Sequence, residues 1–146
     1  YHKDPAYNGL FEMDRDAILS TCKYGIEHYD VRPNNHNLRA SLFSGGNQQK
    51  LVVARELERN PDLLVVGQPT RGVDIGAIEF IHRQIIAMRD AGKAVLLVSV
   101  ELDEILSLSD RILVMFAGQI MGEVEASTAN ERDIGLLMAG IRKEDA

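Results

Sequence analysis

Two short apolar runs, Leu63-Leu64-Val65-Val66 and Ala94 to Ser99, flank a segment with helical periodicity. Pro61 and Gly67 bound the first run, and Gly92 precedes the second. Continuous runs of this kind predict strands covered on both faces. Between them, Ile78, Ile81, Ile85 and Met88 share one stripe of a helix from about Ile75 to Ala91, and Gly92 sits where a helix C-terminal glycine belongs. A helix between two buried strands, repeated further along, predicts an α/β fold: a partly parallel sheet with flanking helices.

The flanking sequence extends this pattern. Ile18, Cys22, Ile26 and Tyr29 mark one face of a helix over Asp16 to Tyr29. Val31 to Ala40 is polar, with Pro33, Asn34 and Asn35, and reads as a loop. A second helix, from Asn47 to Arg59, buries Val53, Ala54 and Leu57 and stops before Pro61. After the second strand come a short helix from Glu101 to about Leu108 and a hairpin of Arg111–Phe116 and Gln119–Val124 around Ala117-Gly118. Thr128 and Glu131 have capping-box spacing ahead of a last helix with Ile134, Leu137 and Met138, closed by Gly140. The first 40 or so residues lack strand signals, so residues 1–41 are expected to be the front part of a small helical lobe and 42–146 a second region.

Composition excludes several functions. In 146 residues, 16 Lys+Arg face 22 Asp+Glu, a net charge of -6, which argues against nucleic acid as a partner. No apolar run reaches the roughly 18 residues of a membrane span. Cys22 is the single cysteine, so an internal disulfide and a cysteine-based metal site are out. The four histidines show no metal spacing, and no metal-binding residue is expected. Tyr1 stands where an initiator Met would be, which points to a piece of a longer polypeptide.

The most informative stretch is Leu42-Phe43-Ser44-Gly45-Gly46-Asn47-Gln48-Gln49-Lys50. Ser44 can cap a helix and donate a hydroxyl hydrogen bond. Gly45 and Gly46 allow close approach of backbone N–H groups, and a helix N-terminus favours a phosphate. An ordinary loop-to-helix turn has the same spelling, so this stretch alone leaves both readings open. Leu63-Leu64-Val65-Val66-Gly67-Gln68-Pro69-Thr70-Arg71-Gly72-Val73-Asp74 follows, and after the next helix comes Val95-Leu96-Leu97-Val98-Ser99-Val100-Glu101.

In this order and spacing, the three segments resemble the C-terminal part of an ATP-binding-cassette (ABC) ATPase, from Leu42 to Gly140 and more loosely before it. Ser44-Gly45-Gly46-Asn47-Gln48 looks like the family signature, Leu63 to Gln68 like the Walker B strand and Gly72-Val73-Asp74 like the D-loop. Ser99-Val100-Glu101 falls at the switch-histidine segment. The spellings Ser-Gly-Gly-Asn-Gln-Gln-Lys and Gln-Pro-Thr-Arg-Gly-Val-Asp are similar to the second cassette of fused two-cassette importers of simple sugars and nucleosides, leaning to nucleosides. The resemblance implies a partial P-loop NTPase-like cassette working with an N-terminal cassette of the same protein and with transmembrane permease subunits. It would lie peripherally on the cytoplasmic face of the membrane, with ATP and Mg used by the full-length protein.

The chain departs from that family in ways that matter chemically. It contains no Gly-x-x-x-x-Gly-Lys-Ser/Thr, the loop that cradles phosphates. Gly67 stands where the resemblance implies a Mg-holding aspartate, Gln68 at the catalytic glutamate and Val100 at the switch histidine. A glutamine can position water but cannot take its proton. We therefore expect no catalytic residue in this half, and neither tight nucleotide binding nor activity from it alone. The implied contribution is in trans. Ser44, Gly45, Gly46 and Gln48 would meet ATP held by the partner cassette, and Asp74 would link the two sites. A regulatory or assembly module of cassette type, without turnover, is the competing reading. Of the remaining residues, Glu101, Asp103 and Glu104 suit the positive end of a helix, Cys22 a small core position, and Tyr1, Tyr7, Tyr24 and Tyr29 packing.

Overall fold

The computed structural model describes Tyr7 and residues 13–141. In chain order its elements are α1 (Arg15–His28), α2 (Gly45–Leu57), β1 (Leu63–Gly67), α3 (Ile75–Asp90), β2 (Ala94–Val98), α4 (Leu102–Leu108), β3 (Arg111–Phe116), β4 (Gln119–Glu125) and α5 (Glu131–Met138). The fold is α/β, as the alternation of periods predicts. The chain divides into two compact units. One holds the residues up to Asp62 with Pro69–Gln84, and the other holds Leu63–Gln68 with the residues from Ile85 onward.

The first unit contains α1, α2 and the N-terminal part of α3. Asp14 caps α1, its carboxylate accepting the N–H groups of Asp16 and Ala17. Tyr29, just past the end of α1, is buried and donates its hydroxyl to Glu58 Oε1 at 2.9 Å. Burial and the Glu58 carboxylate push its phenol well above the usual range. Its ring meets Phe80 of α3 edge-on at 6.0 Å, and Lys50 Nζ of α2 lies 4.9 Å from the same Phe80 ring. These contacts tie the three helices together. Ala77 and Ile81 are fully buried on the stripe of α3 that the periodicity marks.

In the second unit, β1 and β2 pair in parallel from Leu63↔Ala94 to Gly67↔Val98, and Gln68 N–H donates to Val98 O at 2.8 Å. The crossover that a parallel pair requires is supplied by α3. One expectation fails here. The apolar runs predict cover on both faces of these strands, yet Val65 is 61% exposed, and Leu63, Leu96 and Val98 are exposed beside it. Successive residues of a strand face opposite ways. The Leu64 side is covered, while no described residue covers the other.

β3 and β4 form a separate antiparallel pair. Their two-residue turn, Ala117-Gly118, has φ of 47° and 79°, the left-handed pair that matches hairpin twist. The register shifts between Val114 and Met115, leaving Met121 as the extra residue on β4. α5 covers this hairpin through a cluster of Ile112, Val114, Ile134 and Leu137, with Leu102 and Ile105 of α4 packed against it. The cap of α5 differs from the expected Thr128–Glu131 box. Asn130 is the N-cap and accepts the Asp133 N–H at 2.8 Å, while Thr128 closes a short 3-10 turn, Ala126–Thr128.

Ile134 is 1% exposed at the centre of that cluster. Ile134→Ala should destabilise the chain by about 2–5 kcal/mol, read as a lower denaturant midpoint. Ile120→Ala, at an exposed position of β4, should change it by no more than about 0.5 kcal/mol. Gly140 has φ +82°, and a Cβ there would lie 2.7 Å from the Phe116 ring. Gly140→Ala should therefore cost more than about 1 kcal/mol in the same assay.

Candidate functional site

Ser44 is the N-cap of α2. The helix begins at Gly45, two residues earlier than its apolar pattern indicates, so both glycines lie in its first turn. Ser44 Oγ accepts from Asn47 Nδ2 at 2.9 Å and, at 3.5 Å, from the Asn47 backbone N–H. A hydroxyl has two acceptor positions and one donor. Both acceptor positions are engaged, so what Ser44 can offer a ligand is its proton. Gln48 N–H bonds Ser44 O within the helix, and the N–H groups of Gly45 and Gly46 belong to the first turn, which has no intrahelical acceptors. Ser44 and Gly45 are exposed, and Gly46 is buried.

Neighbouring side chains hold this turn in place. Asn47 Oδ1 accepts the Arg32 N–H at 2.7 Å, pinning the preceding loop. Gln48 Nε2 donates to Phe43 O at 2.8 Å, so its amide braces the turn that leads into the helix. Asn47 is a bracing residue that the motif alone does not single out. Its place three residues after a capping serine is the available signal.

Asp74 precedes α3, and its Oδ1 accepts the Ala77 N–H at 3.0 Å. Its other oxygen, Oδ2, lies against Gly46. The structure thus brings Ser44, Gly45, Gly46 and Asp74 together within the first unit. Leu42 and Ile75, their neighbours in sequence, are 66% and 76% exposed, an unusual amount of apolar surface beside polar turns. In the same unit, a cavity of about 310 Å3 opens between α1 and α2. Cys22 lines it and is half-buried, a rim position instead of the core position expected.

Gly67, Gln68 and Val100 belong to the second unit. Gly67 ends β1, and a Cβ there would meet nothing within 4 Å. The backbone therefore does not require glycine at this position. Gln68 adopts φ +49°. Val100 follows β2 and is 63% exposed, an apolar side chain with no hydrogen-bonding capacity. Between them these three residues provide no carboxylate and no imidazole. Among the described residues, no group of three His, Cys, Asp or Glu side chains is placed to hold a metal ion.

No protein-family model matches the chain. Over 146 residues it is 49% identical to the guanosine import ATP-binding protein NupO of Bacillus subtilis, covering 100% of this chain and 28% of that protein. It is 51% identical over 140 residues to the nucleoside import ATP-binding protein NupA of Lactococcus lactis, covering 96% of this chain and 28% of NupA. The ribose import ATP-binding protein RbsA of Clostridium perfringens is 35% identical over 134 residues, 92% of this chain and 27% of RbsA. The chain thus spans under a third of the length of each of these relatives. Among solved structures, an ATP-binding cassette of an ABC transporter in its ADP conformation superimposes with a TM-score of 0.63 at 23% identity. That match covers 91% of this chain and 50% of the other, and at this identity it speaks for the fold alone. Along its whole length the chain is homologous to a part of import ATP-binding proteins of the nucleoside and sugar types, and its fold is that of an ABC-transporter ATP-binding cassette.

Proposed function

We propose that this chain is part of the ATP-binding subunit of an ABC importer for nucleosides, with simple sugars the alternative cargo, and that it serves ATP bound by another cassette. The single observation that carries this reading is the Ser44 turn. Ser44 and Gly45 are exposed there, the Ser44 hydroxyl has only a proton left to offer, and the Gly45 and Gly46 N–H groups belong to the first helical turn beside it. That donor set suits the oxygens of a terminal phosphate. Phosphoryl transfer needs mainly positioning and charge stabilisation, which a rigid array of donors provides.

The rest of the ATP chemistry lies elsewhere in this reading. Gly67, Gln68 and Val100 fit neither a Mg ligand, nor a general base, nor a γ-phosphate contact, so the partner cassette supplies the lysine, the Mg ligands and the carboxylate. Two cassettes facing one another would cover Ser44, Asp74 and the exposed Leu42 and Ile75, with Asp74 linking the two sites. Residues 1–41 would form the front of the helical lobe and 42–146 the C-terminal part of the cassette. The partners are an N-terminal cassette of the same protein and transmembrane permease subunits, on the cytoplasmic face of the membrane. Cargo choice leans to nucleosides because the guanosine and nucleoside import proteins match over 100% and 96% of the chain, against 89% for a glucose import protein of similar identity, while a ribose import protein matches at only 35% identity.

Ser44→Arg in the full-length protein fills the phosphate position with a long side chain and should reduce ATPase activity at least a hundredfold. Gln68→Ala should reduce it less than threefold. Equal losses from both variants would overturn the asymmetric reading. Unchanged activity in both would favour a regulatory or assembly module. Titration of the chain alone with MgATP in a calorimeter should give no binding in the micromolar range.

A further inference from the structure

Gly46 is buried, whereas Ser44 and Gly45 before it are exposed. A Cβ at Gly46 would lie 2.7 Å from Asp74 Oδ2 and 3.0 Å from the Ala77 Cβ. Real Cβ atoms do not approach an oxygen so closely, so Asp74 occupies the space that a side chain at position 46 would need. Asp74 cannot turn away freely, because Oδ1 of the same carboxylate accepts the Ala77 N–H at the start of α3. One carboxylate thus touches the first turns of two helices, bonded to α3 and seated against α2. The contact continues at Gly45, where a Cβ would meet Gly72 O at 3.5 Å.

Helix propensity alone favours alanine over glycine at position 46. The motif by itself suggests that this glycine is there to let a phosphate approach. The close contact with Asp74 gives it another role, and we propose that Gly46 is a positioning residue whose missing side chain seats the Asp74 carboxylate. That seat fixes the Gly72–Asp74 turn relative to Ser44 within one chain. Any shift of the Ser44 turn then displaces Asp74, and the reverse holds as well. The consequence for ATP turnover rests on the reading of Ser44 as a phosphate clamp, while the seat itself does not.

Two measurements separate the two ideas. In this chain, hydrogen exchange at the Ala77 amide reports the Asp74 bond. Gly46→Ala should speed that exchange at least tenfold, as Asp74→Ala does, while Gly25→Ala, at an open position of α1, leaves it unchanged. An Ala77 amide unaffected by Gly46→Ala would overturn the seat. In the full-length protein, Gly46→Ala should lower kcat about tenfold in the Asp74 background. Once Asp74→Ala has vacated the space, it should lower kcat less than twofold further. The same factor in both backgrounds would overturn the coupling and leave Gly46 acting directly on nucleotide. If Ser44→Arg retains activity while the Ala77 amide responds to Gly46→Ala, the clamp reading fails and the seat stands.

Discussion

The bond between Asn47 and the Ser44 hydroxyl organises the first turn of α2. It fixes the rotamer of the capping serine and leaves only its proton to offer. Asn47 accepts the Arg32 N–H with its other amide atom, and Gln48 holds the Phe43 carbonyl. The polar side chains around the turn are therefore committed to position before any ligand arrives. Pre-formed donors of this kind need no rearrangement when a charge appears in front of them, which is the condition under which they stabilise it most.

The second unit presents a regular strand frame whose end carries Gly67, Gln68 and, after β2, Val100. β1 and β2 preserve a full parallel register up to Gly67, and the Gln68 N–H extends it. A Cβ at Gly67 would meet nothing within 4 Å, so the backbone there does not demand glycine. Gly67, Gln68 and Val100 thus stand on an intact parallel frame and carry neither a carboxylate nor an imidazole.

Much of this is legible in the sequence because local physics and global packing agree. The α3 stripe, the Ala117-Gly118 turn and the Ser44 cap each follow from a few adjacent residues. Three features are not legible in that way. The apolar pattern places the start of α2 too late because two glycines depress helix propensity, and the serine cap outweighs them. Thr128-x-x-Glu131 and Asn130-x-x-Asp133 are overlapping cap signals, and the 3-10 turn over Ala126–Thr128 decides in favour of Asn130. The seating of Asp74 on Gly46 joins positions 28 apart in sequence, and no local pattern announces it.

The uncovered face of β1 and β2 has a practical consequence. Leu63, Val65, Leu96 and Val98 form an apolar strip on a pair of strands whose outer edges are unpaired among the described residues. Unpaired edges beside apolar side chains are templates for strand addition between molecules. Expressed by itself at high concentration, the polypeptide is expected to self-associate through that strip, and charged substitutions there are the direct way to keep it monomeric in solution.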